Sequence, residues 1–321
     1  MNRFPVICLM GPTAIGKTDL AIDLYQEGLP IDIISVDSAM VYKGLNIGSG
    51  KPSKDLLDKI PHSLIDIRNP EDIYTVADFC QDVINLINKS HSNNRVPLLV
   101  GGTMMYFNAL QNGLAKLPNS DIDIRESLYR EIELNSLQSL YQQLEKIDSI
   151  SARKINPNDS QRIIRALEVY RITGETLSEL LSADYNSNLF GNYQSINIIL
   201  APEDYLKSIN TRKNLHENIS KRFERMIIDG FIEEVEVLYN NPKIHRELPA
   251  IKSCGYRQAW QYLSGEINKE TMIEKSIIVT RQLAKRQLTW LRSCNKNWPN
   301  TFWFNIYKNN VKAEIIRVLN F

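Results

Sequence analysis

The sequence predicts an α/β fold, with a parallel sheet as the core and an all-helical domain inserted into the chain. A glycine-rich loop separates an apolar strand from a helical pattern within residues 5–24. Two further apolar runs, at 31–37 and 96–100, alternate with helical patterns, and this order is typical of a parallel sheet. Residues 119–190 show helical periodicity and no strand pattern, which predicts the insertion.

The glycine-rich loop follows the strand at residues 5–10 and has the spacing G-x-x-x-x-G-K-[ST] of a P-loop. Its residues are Gly11, Pro12, Thr13, Ala14, Ile15, Gly16, Lys17 and Thr18. In such a loop the backbone N–H groups and the lysine hold a diphosphate, and the hydroxyl of Thr18 can bind Mg²⁺. We therefore expect a P-loop NTPase-like core with all of these residues at a diphosphate. Arg222 is a further candidate for a diphosphate contact.

Two other segments are expected beside the P-loop. Asp37 ends the second predicted strand, and the third runs into Gly101, Gly102 and Thr103. Because ligands of parallel sheets bind at the carboxyl ends of the strands, these residues should face the same crevice. A carboxylate in this position first suggests a kinase or an NTPase, in which it would order Mg²⁺. A later strand of the same sheet is expected at 197–200.

The chain is expected to divide into a P-loop core at 1–118, a helical insertion at 119–190 and a mainly helical completion of the core at 191–321. Within the insertion, apolar residues at helical spacing predict one helix near 137–147. They predict a second helix that begins after Asp159 and ends at Gly174.

Composition excludes several classes of function. The 321 residues carry 38 basic and 37 acidic side chains, a formal charge of +1, so that no global basic field indicates a nucleic-acid partner. The four cysteines lie far apart, without the spacing of a zinc site, and are expected to be reduced thiols. No run approaches 18 apolar residues and no signal peptide is visible, so we expect a cytoplasmic protein without a membrane partner.

Local basic clusters remain as candidates for binding RNA. Gln161, Arg162 and Arg165 are spaced to share one face of a helix. The segment 281–296 contains five basic residues and no acid, with Trp290 among them. A basic face with an interleaved aromatic side chain suits an RNA backbone, although a solvated helix surface has the same pattern.

Residues 37–52, DSAMVYKGLNIGSGKP, resemble the D-S-x-x-x-Y-[KR]-G-x-x-I-G-[ST]-x-K-P signature of the tRNA dimethylallyltransferases. Further blocks resemble this family in the same order along the chain, at 61–66, 101–106, 157–168, 254–258 and 280–287. Nothing after residue 295 resembles the zinc finger of the eukaryotic members, which favours the bacterial type.

The resemblance implies transfer of the dimethylallyl group of dimethylallyl diphosphate to N6 of the adenosine immediately 3′ of the tRNA anticodon. It also implies Mg²⁺ as cofactor, the tRNA anticodon stem-loop as partner and a monomeric enzyme. Lys17 would stabilise the charge on the departing pyrophosphate. Asp37 would accept the proton of the N6 amine, and Thr103 would bind the adenine or a phosphate.

The same resemblance extends to a set of tRNA-binding residues. They are Asp37, Ser38, Ala39, Met40, Thr103, Arg125, Gln161, Arg162, Ile163, Ile164, Arg165, Lys252, Gly255, Tyr256, Arg257, Arg281, Lys285 and Arg286. Two positions depart from the family pattern. Ile15 replaces a small residue and is expected to narrow the allylic pocket, and Met40 replaces a glutamine and is expected to pack on the adenine.

Two alternatives stay open. An adenylate isopentenyltransferase would share the P-loop and modify free AMP or ATP, but the helical insertion argues against this reading because a nucleotide needs no such arm. A P-loop small-molecule kinase or RNA-binding NTPase is the second alternative, although the sequence shows no arginine-rich lid near the P-loop. Hydrolysis of ATP, or phosphate transfer from it, would support this second alternative.

Overall fold

The computed structural model describes residues 4–183, 189–191, 193–202, 209–294 and 298–319. The chain divides into two compact units. The core unit consists of Met1–Gln111 with Phe190–Phe321, and the helical unit consists of Asn112–Leu189. The helical unit begins before residue 119, where the sequence suggested a boundary, because the residues between 113 and 121 form neither a helix nor a strand that would extend the core.

The described strands form one parallel sheet in the order β3-β2-β4-β1-β5-β6. They are β1 (Phe4–Met10), β2 (Ile31–Val36), β3 (His62–Ser63), β4 (Val96–Gly101), β5 (Tyr193–Ala201) and β6 (Thr301–Asn305). The predicted parallel sheet and the four predicted strands are thus confirmed. The expected completion of the core at 191–321 is mainly helical, but it also contains the unpredicted strand β6, which pairs with β5 at the sheet edge.

Helices of the core unit cover the sheet. They are α1 (Lys17–Gln26), α2 (Lys54–Lys59), α3 (Val76–Ser92), α4 (Met104–Asn112), α10 (Ile209–Ile228), α11 (Phe231–Tyr239), α12 (Tyr256–Leu263), α13 (Lys269–Cys294) and α14 (Val311–Leu319). One hydrophobic cluster joins side chains of the central strands to α1, α10, α13 and α14. Consecutive residues of β1, β2, β4 and β5 are buried, so both faces of these strands are covered, which explains their continuous apolar sequences.

The helical unit has its own hydrophobic core. Its helices are α5 (Ile122–Asn135), α6 (Leu137–Ile147), α7 (Ser149–Lys154), α8 (Ser160–Thr173) and α9 (Leu177–Ala183). The two predicted helices are confirmed as α6 and α8. The carboxylate of Asp159 caps α8 by accepting from the N–H of Arg162, and Gly174 ends the helix with a φ of 75°.

Two composition-based expectations can be compared with the described residues. Cys8, Cys80 and Cys254 are free thiols, while the side chain of Cys294 lies outside the description. Over the described ranges, every helix is too short or too polar to cross a lipid bilayer.

Candidate active site

The P-loop connects β1 to α1 and leaves the sheet at its carboxyl edge. Gly16 has a φ of 91° and immediately precedes the first residue of α1, Lys17, a conformation that glycine adopts without a steric penalty. The backbone N–H groups of the first turn of α1 have no partners within the helix, so this end can bind an anion. Ile15 is only 3% exposed and packs in the hydrophobic cluster below the loop. The expectation that its side chain narrows an allylic pocket was therefore wrong.

Two cations lie at the P-loop. The ammonium of Lys17 donates to the carbonyl of Pro12 at 2.8 Å. Burial and the neighbouring guanidinium of Arg222 lower the pKa of Lys17 to about 7, and the carboxylate of Asp37 opposes this shift. Burial also lowers the pKa of Arg222, against the opposing effect of Asp37. Nη1 of Arg222 lies 3.5 Å from the hydroxyl of Thr13. Lys17 and Arg222 thus form a cationic pair at the P-loop, and an anionic ligand would stabilise the charge of both side chains.

A buried glutamine of α13, Gln287, fixes the P-loop to the neighbouring strand end. Its Oε1 accepts from the N–H of Thr13 at 2.9 Å, and its Nε2 donates to the carbonyl of Gly102 at 2.8 Å. The side chain is 8% exposed, so both bonds are shielded from water. The sequence placed Gln287 in a family block at 280–287 but gave it no role, because its two partners are remote in the chain.

Asp37 and Thr103 follow adjacent strands of the sheet, β2 and β4, as expected. Oδ1 of Asp37 accepts from the N–H of Ala39 at 2.8 Å and from that of Met40 at 3.2 Å. The hydroxyl of Thr103 accepts from the N–H of Ser38 at 3.1 Å. These bonds hold the carboxylate and the hydroxyl at the carboxyl edge of the sheet, beside the P-loop cations on which Asp37 acts.

The loop of residues 46–50 is tied to the helices behind it. Glu234 of α11 accepts from the N–H groups of residues 46–48, and Tyr256 donates its hydroxyl proton to Glu234 at 2.7 Å. Tyr256 is 0% exposed, so the prediction that its side chain contacts tRNA was wrong. The side chain of Lys51 is only 3% exposed, and its ammonium donates to Asp66 at 2.6 Å.

A groove of about 780 Å³ opens beside this loop. Its walls come from the loop, from α2 and from α10, and they include Arg222, Met226 and Leu57. Lys51 and Asp66, whose ion pair was described above, also line it. Arg222 therefore borders both the P-loop and this groove.

Four of the cations predicted to bind tRNA lie on α12, on α13 and just before α12. Lys252, Arg257, Lys285 and Arg286 are exposed. Burial raises the pKa of the Cys254 thiol, and the guanidiniums of Arg286 and Arg257 oppose this shift. Gly255 is buried and contributes backbone only.

Trp290, also on α13, is 38% exposed. Arg281 is less accessible, because it donates to the hydroxyl of Ser220 on α10 at 2.9 Å. The basic face proposed from the sequence around 281–296 is therefore formed, among the described residues, mainly by Lys285 and Arg286 on α13.

The helical unit uses several of the predicted RNA-binding residues internally. Glu168 is 0% exposed and receives hydrogen bonds from Arg125 at 2.8 Å and from Arg165 at 2.6 Å. These ion pairs lower the pKa of Glu168 against the opposing effect of burial. The side chains of Ile163 and Ile164 lie in the hydrophobic core, so their prediction as side-chain contacts to tRNA was wrong.

Gln161 and Arg162 at the start of α8 are exposed. Arg162 pairs with Asp159 at 3.2 Å, but its side chain remains 67% exposed. These two residues are the accessible members of the predicted face, because Arg165 is turned towards Glu168.

The chain is similar to known proteins over nearly its whole length. The family model described as IPP transferase matches residues 40–294. The tRNA dimethylallyltransferase of Coxiella burnetii (strain Dugway 5J108-111) is 47% identical over 320 residues, which cover 99% of this chain and 98% of the relative. The tRNA dimethylallyltransferase 2 of Hahella chejuensis (strain KCTC 2396) is 46% identical over 320 residues, covering 98% of this chain and 95% of the relative.

Solved structures match over the same length. The tRNA isopentenylpyrophosphate transferase of Bacillus halodurans has a TM-score of 0.66 at 31% identity and covers 99% of this chain and 95% of its own. A eukaryotic dimethylallyltransferase acting on tRNA has a TM-score of 0.79 at 24% identity, with 99% of this chain and 79% of its own covered, and it supports the fold. The P-loop NTPase-like α/β fold expected from the sequence is confirmed. The match over residues 40–294 and the 47% identity across nearly the whole chain show that this protein belongs to the IPP transferase family.

Proposed function

We propose that this protein transfers the dimethylallyl group of dimethylallyl diphosphate to N6 of the adenosine immediately 3′ of a tRNA anticodon. The observation that carries the proposal is that two sets of functional groups lie at the same edge of the sheet. A cationic P-loop suited to a diphosphate lies beside Asp37 and Thr103, which are suited to an acceptor amine. Membership of the family and the names of its relatives support the same reaction.

The leaving group is pyrophosphate, and the P-loop is suited to stabilise it. The allylic C–O bond breaks, and its electron pair remains on the diphosphate. Lys17, Arg222 and the N–H groups at the start of α1 would bind the negative charge that develops there. Because these donors are fixed before the substrate arrives, little reorganisation accompanies the reaction.

The acceptor side forms the new N–C bond. The lone pair of N6 attacks the allylic carbon, and the amine then loses a proton to the carboxylate of Asp37. Two backbone N–H groups hold Oδ1 of this carboxylate in place. Thr103, already bonded to the N–H of Ser38, would orient the adenine that has left the stacked anticodon loop.

The residues at the P-loop also fit Mg²⁺. The hydroxyl of Thr18 lies in the first turn of α1, and no group of three or more Asp, Glu, His or Cys suited to a metal occurs among the described residues. A cation here would therefore take most of its ligands from the diphosphate and from water, as Mg²⁺ commonly does. When bound, it would supply further positive charge at the leaving group. Thr18 is its proposed protein ligand.

The tRNA would contact exposed polar side chains of each unit: the cations Lys252, Arg257, Lys285 and Arg286 in the core unit, and Gln161 with the cation Arg162 in the helical unit. Their charges are local, which reconciles RNA binding with a formal charge of +1. We further propose that the enzyme acts as a monomer in the cytoplasm.

The test incubates the purified protein with Mg²⁺, radiolabelled dimethylallyl diphosphate and either unmodified tRNA or AMP. Label in tRNA, mapped to the adenosine beside the anticodon, is expected. Label in AMP alone would support prenylation of a free nucleotide instead. Transfer of label to neither acceptor would support the kinase and NTPase alternatives. Asp37→Asn should lower turnover strongly with little change in tRNA affinity, whereas an equal loss of both would make Asp37 a binding residue.

A further inference from the structure

A brace behind the loop of residues 46–50 has no part in the chemistry proposed above. The carboxylate of Glu234 accepts from three consecutive backbone N–H groups, those of residues 46–48, at 2.7–3.1 Å. It also accepts from the hydroxyl of Tyr256 at 2.7 Å, and that hydroxyl accepts from the N–H of Ser49 at 3.2 Å. Two side chains thus satisfy four successive N–H groups of one loop.

The other side of the same loop holds Arg222. Nη2 of Arg222 donates to the carbonyl of Ser49 at 3.3 Å, while Nη1 faces the hydroxyl of Thr13 in the P-loop. Gly50 has a φ of 68°, and a Cβ there would lie 1.8 Å from Nη2 of Arg222. The guanidinium therefore rests directly on the loop backbone. Any displacement of the loop changes where this guanidinium points.

The chemistry of the brace requires a carboxylate. Each oxygen of Glu234 receives at least two donors, and a carboxylate is the side-chain group that accepts at both oxygens without donating. A glutamine has the same shape but would turn an NH₂ group towards at least one backbone N–H. Tyr256 is fixed in addition by the ring of Phe231, whose centroid lies 5.3 Å away.

We propose that Glu234 and Tyr256 are positioning residues for the transfer reaction. They hold the carbonyl of Ser49 where it directs Arg222 at the diphosphate, although neither touches a substrate. The inference rests on the proposed function, because it assumes that Arg222 binds the diphosphate. It predicts that substitutions in the brace weaken the binding of dimethylallyl diphosphate and leave the binding of tRNA unchanged.

The experiment measures steady-state kinetics for Glu234→Gln and Tyr256→Phe with each substrate varied in turn. We expect KM for dimethylallyl diphosphate to rise about tenfold, because the guanidinium contact is misaligned, while KM for tRNA stays unchanged. Each substitution combined with Arg222→Ala should add nothing to the effect of Arg222→Ala alone. Glu233→Gln, the same change at an exposed neighbouring position of α11, serves as the matched control and should behave as wild type.

The outcomes separate the two proposals. If Arg222→Ala leaves the diphosphate KM unchanged, the role of Arg222 in the proposed function fails, and the brace inference fails with it. If Arg222→Ala weakens diphosphate binding but both brace variants match wild type, only the brace is overturned. Loss of affinity for both substrates, or additivity with Arg222→Ala, also overturns it. Melting curves show whether each variant is folded. If Glu234→Gln is unfolded, the test relies on Tyr256→Phe, which removes a single oxygen.

Discussion

The ionisation of Lys17 predicts a pH dependence of diphosphate binding. In the free protein, burial and Arg222 lower the pKa of this ammonium to about 7. A diphosphate about 4 Å away would stabilise the charged form by about 4 kcal/mol per unit charge at an effective dielectric constant of about 20. Because one pKa unit corresponds to about 1.4 kcal/mol, a single unit of the ligand's charge is enough to raise the pKa by about three units, to about 10.

The pKa values of Lys17 in the free and the bound protein determine the direction of the pH dependence. Below about pH 7 Lys17 is charged in both states, and binding changes nothing at this group. Between about pH 7 and pH 10 the free protein holds Lys17 neutral, so binding takes up one proton and Kd rises by up to about tenfold per pH unit. Titration calorimetry at about pH 8.5, in two buffers with different ionisation enthalpies, measures this uptake directly. The ligand is fully ionised there, because the second phosphate pKa is about 6.

Two variants of the P-loop region control this measurement. Lys17→Met should bind the diphosphate weakly and without proton uptake. In Arg222→Ala the repelling guanidinium is gone, so the pKa of Lys17 in the free protein should rise and uptake should begin at a higher pH. Buffer-independent heat for the wild type at about pH 8.5, or equal uptake by Lys17→Met, would refute the assignment of the proton to Lys17.

Three further predictions concern buried polar contacts and surface charge. Gln287→Leu leaves two backbone partners unpaired and should lower the free energy of unfolding by about 2 kcal/mol in urea denaturation, and an unchanged midpoint would contradict the bridge. Arg165→Ala should destabilise the protein by about 2 kcal/mol because it removes one of the two arginines paired with a fully buried carboxylate, whereas Arg162→Ala should stay within about 0.5 kcal/mol. Removing Lys285 and Arg286 together should reduce the slope of log Kobs for tRNA against log salt by about 1.5, and a constant slope would place the RNA elsewhere.

The central strands were predictable because burial on both faces of a parallel sheet demands continuous apolar runs. β1, β2, β4 and β5 all have such runs, and each was expected from the sequence alone. β6 was missed because it is a short edge strand, in which Phe302 and Trp303 remain 38% exposed. β3 has only two residues, too few for any period to register.

Some residues of the site were also predictable from the sequence, and others were not. The P-loop, Asp37 and Thr103 were predictable because each belongs to a local segment that ends a strand. Gln287 and Glu234 received no role because their partners lie far away in the chain, 274 residues from Gln287 to Thr13 and up to 188 residues from Glu234 to the loop. Contacts over such separations leave no local pattern in a single sequence.

Sequence blocks also conceal which neighbours point inward, and the block at 254–258 makes this testable. Tyr256 is 0% exposed and bonds to Glu234, whereas the next residue, Arg257, is exposed on the basic face of the core unit. Adjacent positions should therefore respond to different substrates. Tyr256→Phe should raise KM for dimethylallyl diphosphate alone, and Arg257→Ala should weaken tRNA binding about tenfold at low salt, less at high salt. Two assays test both substitutions: filter binding measures the affinity for tRNA, and steady-state kinetics measures KM for dimethylallyl diphosphate. If both variants changed the same substrate constant, the division of this block into an inward and an outward function would be wrong.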